Sequence, residues 1–254
     1  MPEGPLPLYR ARRGTGTLRP DPDQELAAEK LQSLYQALRN HRPNTGKVGW
    51  RERFGLARRT EPAEPPQELY LFGDVGRGKS MLMDLFFETA PVERKRRVHF
   101  HAFMLETHRR IHEHRTAKGR AASGPDDAIP ELARRMAEES WLLCFDEFHV
   151  TDIADAMILG RLFTHLFDNG VVVVATSNWP PDLLYKDGLQ RELFLPFIAL
   201  LKEKLDVLAL EGATDYRLNR LGGMPVYHWP LGPDSDAAMR RTFAALTDDA
   251  PVSP

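Results

Sequence analysis

Apolar residues along the chain fall into two kinds of pattern, and the way these alternate predicts the fold class. Leu26, Ala27, Leu31, Leu34, Tyr35 and Leu38 recur at helical spacing and predict an amphipathic helix. Its start is written in Asp21-Pro22-Asp23-Gln24, with Asp21 as N-cap, Pro22 as the first helical residue and Gln24 as the reciprocal cap. The apolar face of this helix is expected to pack on the domain that follows. Continuous apolar runs then occur at Leu69–Phe72, Trp141–Phe145 and Val171–Ser177. Runs of this kind belong to strands buried on both faces, as in parallel sheets covered by helices. Alternation through Val98, Phe100 and Ala102 predicts another strand, extending to Met104, and Val207–Leu210 predicts the last. Helical patterns lie between them. Met81–Phe87 is one, Glu131–Glu139 a second, and the longest starts at Thr151 or Asp152, runs through Ile153, Met157, Ile158, Leu162, Phe163, Leu166 and Phe167, and stops at Asn169-Gly170. Strands alternating with helices make the chain α/β.

The stretches between these patterns set the boundaries. Residues 1–20 are rich in Pro, Gly and Arg and are expected to be loose. Residues 40–67 read as a linker broken by prolines at 43, 62, 65 and 66 and made basic by Arg51, Arg53, Arg58 and Arg59. That linker is read as a solvated surface, with a contact for nucleic acid or an acidic partner as the alternative. The expected organisation is an N-terminal arm, helix and linker over 1–67, an α/β core over 68–232, and a short tail over 233–254.

Composition narrows the class only a little. The 254 residues, 42% of them hydrophobic, suffice for one large α/β core. A net charge of −2 argues neither for nor against a nucleic-acid partner. Cys144 is the single cysteine, so no intramolecular disulfide can form, which suits a reducing compartment. No apolar stretch reaches the ~20 residues of a membrane span. Arg10, Arg12 and Arg13 stand near the N-terminus without an apolar segment beside them, so no secretory signal is read there.

The chemistry concentrates in three places. Gly73-Asp74-Val75-Gly76-Arg77-Gly78-Lys79-Ser80 fits the phosphate-binding loop pattern, entered from an apolar strand and left by a helix. Gly73, Gly76 and Gly78 permit a tight turn with inward-pointing N–H groups. Lys79 can reach the outer phosphates of ATP, and Ser80 can offer its hydroxyl to Mg²⁺. The second place is Asp146-Glu147, at the carboxyl end of a buried strand, where α/β sheets bind ligands. Asp146 is expected to hold Mg²⁺, directly or through water, and Glu147 to orient and polarise the attacking water. The third is Asn178, at the tip of the Val171–Ser177 strand, where a polar side chain can hold that water near the γ-phosphate. Five histidines, His99, His101, His108, His112 and His114, offer metal-ligand chemistry, but no matched acid or cysteine completes a set, so a metal centre is not the preferred reading there.

The order of phosphate loop, Asp-Glu strand and Asn strand resembles the AAA+ ATPases. More narrowly it is similar to the ZapE family and its mitochondrial relatives of the ATPase-family-gene-one type. The resembling residues are Gly73–Ser80, Val98–Met104, Leu142–Ile158, Ala175–Asn178 and Gly188–Ile198, together with Asp21–Leu38 and Asp215-Tyr216-Arg217. The resemblance implies a P-loop NTPase fold of AAA+ type with a central parallel five-stranded sheet flanked by helices. It implies Walker A and Walker B roles for the loop and the acid pair, with ATP and Mg²⁺ as cofactors. It further implies ATP hydrolysis that drives remodelling of a protein partner, the division-ring GTPase FtsZ in bacterial members. A cytoplasmic place with recruitment to the division site is expected, a mitochondrial one being the alternative. Arg191 follows Asn178 by roughly the interval to the intersubunit arginine of AAA+ proteins, so a homo-oligomer with Arg191 acting in the neighbouring site is expected; a local salt bridge to Asp187 or Glu192 is the competing role. Family members continue well past residue 232, so the usual C-terminal lid is expected to be truncated, with low turnover as a consequence. The other classes are a nucleic-acid-linked AAA+ helper, such as a helicase loader, and a nucleotide-binding scaffold with little turnover.

Overall fold

Side chains alternate across the strands of one sheet, and that alternation divides the apolar core in two. The computed structural model describes residues 3–41, 66–117, 128–211, 235–237 and 239–240. The chain falls into two units, Met1–Gly212 and Ala213–Pro254, and in the second only a short helical stretch is described. The first unit opens with α1 (Pro5–Gly14) and α2 (Pro22–Asn40). Then come β1 (Glu68–Phe72), α3 (Lys79–Thr89), β2 (Lys95–His99), α4 (Phe100–Ala117) and α5 (Ala128–Glu139). Next are β3 (Leu142–Asp146), α6 (Ile153–Asp168) and β4 (Val172–Ser177). Two 3₁₀ turns, Pro181–Leu183 and Arg191–Leu193, lead to α7 (Leu195–Lys204) and β5 (Leu205–Ala209).

The five strands form one sheet in the order β2-β3-β4-β1-β5, and every neighbouring pair is parallel. This is the expected α/β fold with a central parallel five-stranded sheet flanked by helices. Leu143, Phe145, Val173, Ala175 and Tyr70 face a cluster built with α4 to α7. Their neighbours Leu142, Cys144, Val172, Val174, Leu69 and Leu71 face the other side, where α1, α2 and α3 pack. Burial pushes the Cys144 thiol up to about 12, so it stays a neutral apolar filler. No helix among the described residues is long and apolar enough to cross a membrane.

Three expectations need correction. The segment expected to be loose contains a helix, Pro5–Gly14, with Tyr9 fully buried and Arg10 paired to Glu25 and Glu29 of α2. The strand expected at Val98–Met104 lies earlier, at Lys95–His99, because Phe100, Phe103, Met104, Thr107 and Ile111 form the buried face of α4. Gln24 is not the reciprocal cap. Asp21 does cap α2, accepting from the amides of Asp23 and Gln24, but the Gln24 side chain reaches away to the phosphate loop. Ala27, Leu31, Leu34, Tyr35 and Leu38 of α2 pack on α3 and the sheet as expected, but Leu26, expected on the same face, is exposed. The helix ends at Asp152 and at Asn169-Gly170 lie where the sequence places them. Arg51, Arg53, Arg58, Arg59 and Asp215-Tyr216-Arg217 lie outside the described residues, as does nearly all of the tail from 233.

Candidate active site

The loop between β1 and α3 takes the shape its glycines allow. Gly73, Gly76 and Gly78 all have positive φ, at 155°, 85° and 88°. At Gly73 a Cβ would fall 2.4 Å from the Leu210 carbonyl oxygen, so only glycine lets β5 close against the loop. Gly78 is the N-cap of α3 and supplies no side-chain acceptor, which leaves the first-turn amides of the helix to a ligand. Those amides and the helix dipole favour an anion. Lys79 Nζ donates to the carbonyls of Gly73 (2.6 Å) and Asp74 (2.8 Å), so its ammonium lies over the loop that it is expected to serve. Ser80 is exposed in the first turn of α3, and Asp74 and Val75 are exposed on the loop. From behind, Gln24 Nε2 donates to the Arg77 carbonyl at 3.1 Å. The Gln24 amide occupies the space that a Cβ at Gly78 would need.

Asp146 ends β3 and is buried. Arg97 of β2 grips it with a fork, Nε to Oδ2 at 2.6 Å and Nη2 to Oδ1 at 3.2 Å. The remaining guanidinium nitrogen, Nη1, bonds Asp84 of α3. Burial pulls the Arg97 pKa down, but hydrogen bonds to Asp146 and Asp84, with their charges, outweigh it and raise the net value. The arginine is therefore permanently charged. A carboxylate has about four lone-pair positions, so Asp146 keeps acceptor capacity for Mg²⁺ or its water beside the fork. The exposed Ser80 hydroxyl and this acidic strand end are hard oxygen donors of the kind Mg²⁺ takes.

Glu147 has φ +54°, a left-handed backbone that residues with a Cβ seldom adopt, and its side chain is 79% exposed. His99 Nδ1 lies 3.8 Å from its carboxylate. The next residue explains the turn. Phe148 is fully buried among Phe100, Phe145, Phe163 and Phe197, and its N–H donates to the Thr176 carbonyl at 2.7 Å. Its own carbonyl accepts from Ser177 Oγ at 2.7 Å. Ser177 also accepts the Gly73 N–H on its carbonyl, at 3.3 Å, which ties β4 to the phosphate loop. Asn178 follows, exposed at the tip. The loop, the acid pair and Asn178 thus stand together at the carboxyl ends of three adjacent strands.

Arg191 stands apart in its contacts. Its Nη2 donates to the Asp182 carbonyl at 2.7 Å, while its Nε is buried without a partner. It bonds neither the loop nor the acid pair, and among the described residues neither Asp187 nor Glu192 pairs with it. Its turn is held by positive-φ backbone at Tyr185, Asp187 and Gln190, and by a Tyr185 ring lying where a Cβ on Gly188 would be. Of the histidines, His108 bonds Asp155 at 2.6 Å across α4 and α6. Sequence reasoning missed Arg97, Asp84 and the second role of Gln24. The only signal for Arg97 was a charged residue next to Val98 in a strand that neighbours the acidic one.

A family profile described as AFG1-like ATPase matches residues 5–253. The cell division protein ZapE of Escherichia coli (strain K12) is 42% identical over 246 residues, covering 95% of this chain and 64% of that protein. Lactation elevated protein 1 homolog B of Danio rerio is 40% identical over 268 residues, covering 91% and 53%. The chain thus spans between 53% and 64% of the length of these relatives. Among solved structures, AMPPCP-bound DnaA from Aquifex aeolicus aligns with a TM-score of 0.45 and 13% identity, covering 91% of this chain and 62% of that one. With a profile match along nearly its whole length, the chain belongs to the AFG1-like ATPase family.

Proposed function

We propose that this chain binds Mg·ATP at Gly73–Ser80 and hydrolyses it to ADP and phosphate, using the cycle to remodel a protein partner. The observation that supports this most is the linkage at the strand ends: Gly73 to Ser177, and Phe148 to Thr176 and Ser177. These bonds, two between main-chain groups and one from the Ser177 hydroxyl, tie the phosphate loop, the Asp146-Glu147 pair and the strand end before Asn178 together.

Each group then has a part. The loop amides and the α3 N-terminus take the phosphate oxygens, and Lys79 leaves the Gly73 and Asp74 carbonyls to reach the outer phosphates. Ser80 and Asp146 would hold Mg²⁺, which would supply positive charge against the charge developing on the phosphates. Glu147, exposed and unencumbered by a close ion pair, orients and polarises the attacking water. Asn178 holds that water from the next strand. Arg191 acts in the neighbouring subunit of a homo-oligomer, stabilising charge on the γ-phosphate.

For the partner, the name of the Escherichia coli relative supports a cell-division role; the cytoplasm as its place and an FtsZ-like protein as its substrate belong to the proposal. The deciding experiment measures nucleotide binding beside turnover for the parent and for Glu147→Gln. Retained Mg·ATP binding with turnover lowered ~10²-fold or more is expected. A variant that hydrolyses normally overturns the role of Glu147. Addition of an FtsZ-like polymer should change the parent's turnover, and no effect on rate or on the polymer removes that partner.

A further inference from the structure

The two side chains expected to hold Mg²⁺ come from different elements, Ser80 from α3 and Asp146 from β3. Something must fix their separation, since Mg²⁺ demands near-ideal octahedral geometry at short distance. The structure contains a device of the right kind. Arg97 projects from β2, the strand beside β3, on the face that α3 covers. In register it pairs with Cys144, two residues before Asp146, so its side chain runs alongside the acid. Its fork takes both Asp146 oxygens, and its third nitrogen is held by Asp84. Asp84 lies four residues after Ser80 on α3, one helical turn along the same face.

We propose that Arg97, tethered by Asp84, is a positioning residue that sets the Asp146 carboxylate relative to Ser80 and so determines how well the site takes Mg²⁺. The inference rests on the reading of Gly73–Ser80 and Asp146 as a Mg·ATP site. The fork fixes the carboxylate plane and engages one side of it, so the remaining lone pairs point a single way. The tether matters as much as the fork. With Asp84 in place, the guanidinium spans from α3 to β3, and a shift of either element is resisted by a charge-assisted bond at each end. Arg97 is about one-fifth exposed and the Asp146 side chain about one-tenth, so solvent screens the Asp146 end little. Asp84 is about half exposed, which makes it the softer end and the safer one to alter.

Two variants separate positioning from simple bracing. Asp84→Asn keeps the Arg97–Asp146 pair intact and leaves no buried charge alone. Arg97→Lys keeps the charge but loses the planar fork. Binding of a fluorescent ATP analogue is measured in EDTA and across a Mg²⁺ titration, with a thermal melt in EDTA to check folding. Both variants are expected to bind the analogue in EDTA within about twofold of the parent. The Mg²⁺ concentration for half-saturation should rise about tenfold, as when an outer-shell partner of a metal ligand is lost. The double variant should fall short of the sum of the two, since both act through one carboxylate. Should Arg97→Lys fail to fold, Asp84→Asn alone decides. A lowered melting temperature with an unchanged Mg²⁺ titration makes Arg97 a brace only and overturns the inference. A lower Mg²⁺ requirement also overturns it, because the arginine would then be blocking the acid. A parent that binds no nucleotide, or binds it equally with and without Mg²⁺, overturns the metal reading of Asp146 and this inference with it.

Discussion

Replacing Glu147 by glycine should stabilise the protein while abolishing hydrolysis, and the size of the gain follows from the backbone. Glu147 sits at φ +54°. A residue with a Cβ pays roughly 1–2 kcal/mol for that conformation. Glycine is free of this cost but gains freedom in the unfolded chain, which returns about 0.4–1 kcal/mol. Little else changes. The side chain is 79% exposed, and its ionic neighbour His99 is a loose contact at 3.8 Å, of a class that contributes little. The net expectation is a gain of about 0.5–1 kcal/mol, or roughly 1–4 °C in Tm for a domain of this size. Glu147→Ala is the matched control: it removes the same carboxylate but keeps the Cβ, so it should melt with the parent. Thermal melts without nucleotide, together with phosphate release, give both readouts for the three proteins. Both variants should lose ~10²-fold or more in turnover. If the glycine variant melts below the alanine variant, the strain argument is wrong. If either hydrolyses ATP like the parent, the carboxylate is not the water-activating group.

Three further outcomes are expected. Lys79→Ala should lose ATP binding with Tm close to the parent, because its ammonium caps loop carbonyls instead of packing in the core; binding within a few-fold of the parent, read by equilibrium titration, refutes the loop assignment. Burial raises the Glu68 pKa well above its ordinary 4.5, with the Val173 amide and Lys204 opposing only in part. The folded state therefore holds the proton more tightly, and stability falls as pH rises from the unfolded pKa through the folded one. Glu68→Gln keeps an oxygen for the Val173 N–H and should melt higher than the parent at pH 8, with the difference shrinking toward pH 4; a constant difference refutes this. Arg191→Ala should keep ATP binding but lose turnover, and mixing it with Glu147→Gln should restore some activity in preparations shown to assemble; no restoration leaves Arg191 as a brace on the Asp182 carbonyl.

How much was legible depended on whether the signal was local. The apolar runs at Leu69–Phe72, Trp141–Phe145 and Val171–Ser177 predicted buried strands, and the sheet contains all three because no other element buries such a run on both faces. Asp152 and Asn169-Gly170 bounded α6 because caps act within one turn. Misreadings arose where distant contacts decide. A Pro/Gly/Arg-rich start is a poor helix on its own, yet α1 forms because Tyr9 enters the apolar cluster and Arg10 meets the glutamates of α2. Val98, Phe100 and Ala102 alternate over a short window, but the longer series Phe100, Phe103, Met104, Thr107 and Ile111 has helical spacing and wins. Gln24 stands where a capping residue would, and its partner lies 53 positions on, at Arg77. Arg97 closes the basic run Arg94-Lys95-Arg96-Arg97, and only the pairing of β2 with β3 brings it to Asp146.

The placement of Glu147 shows how such a site tolerates a costly backbone. The residue before it is fixed by β3 and the Arg97 fork; the residue after it is fixed more strongly still. Phe148 is fully buried, with its ring centroid 4.0 Å from that of Phe100 and edge-on to Tyr70, Phe145 and Phe163. Truncating such a residue to alanine costs about 3–5 kcal/mol. Its N–H and carbonyl are both bonded to β4, each for roughly another 1 kcal/mol. Against this, the 1–2 kcal/mol of left-handed backbone is the smaller term. The core therefore holds the chain through Phe148, and the strain falls on the one residue between two anchors, where a sharp turn leaves the carboxylate exposed beyond the strand end, 3.8 Å from His99. In the run Asp146-Glu147-Phe148, the acids are the ones proposed to carry the chemistry, and the phenylalanine decides where the second acid stands.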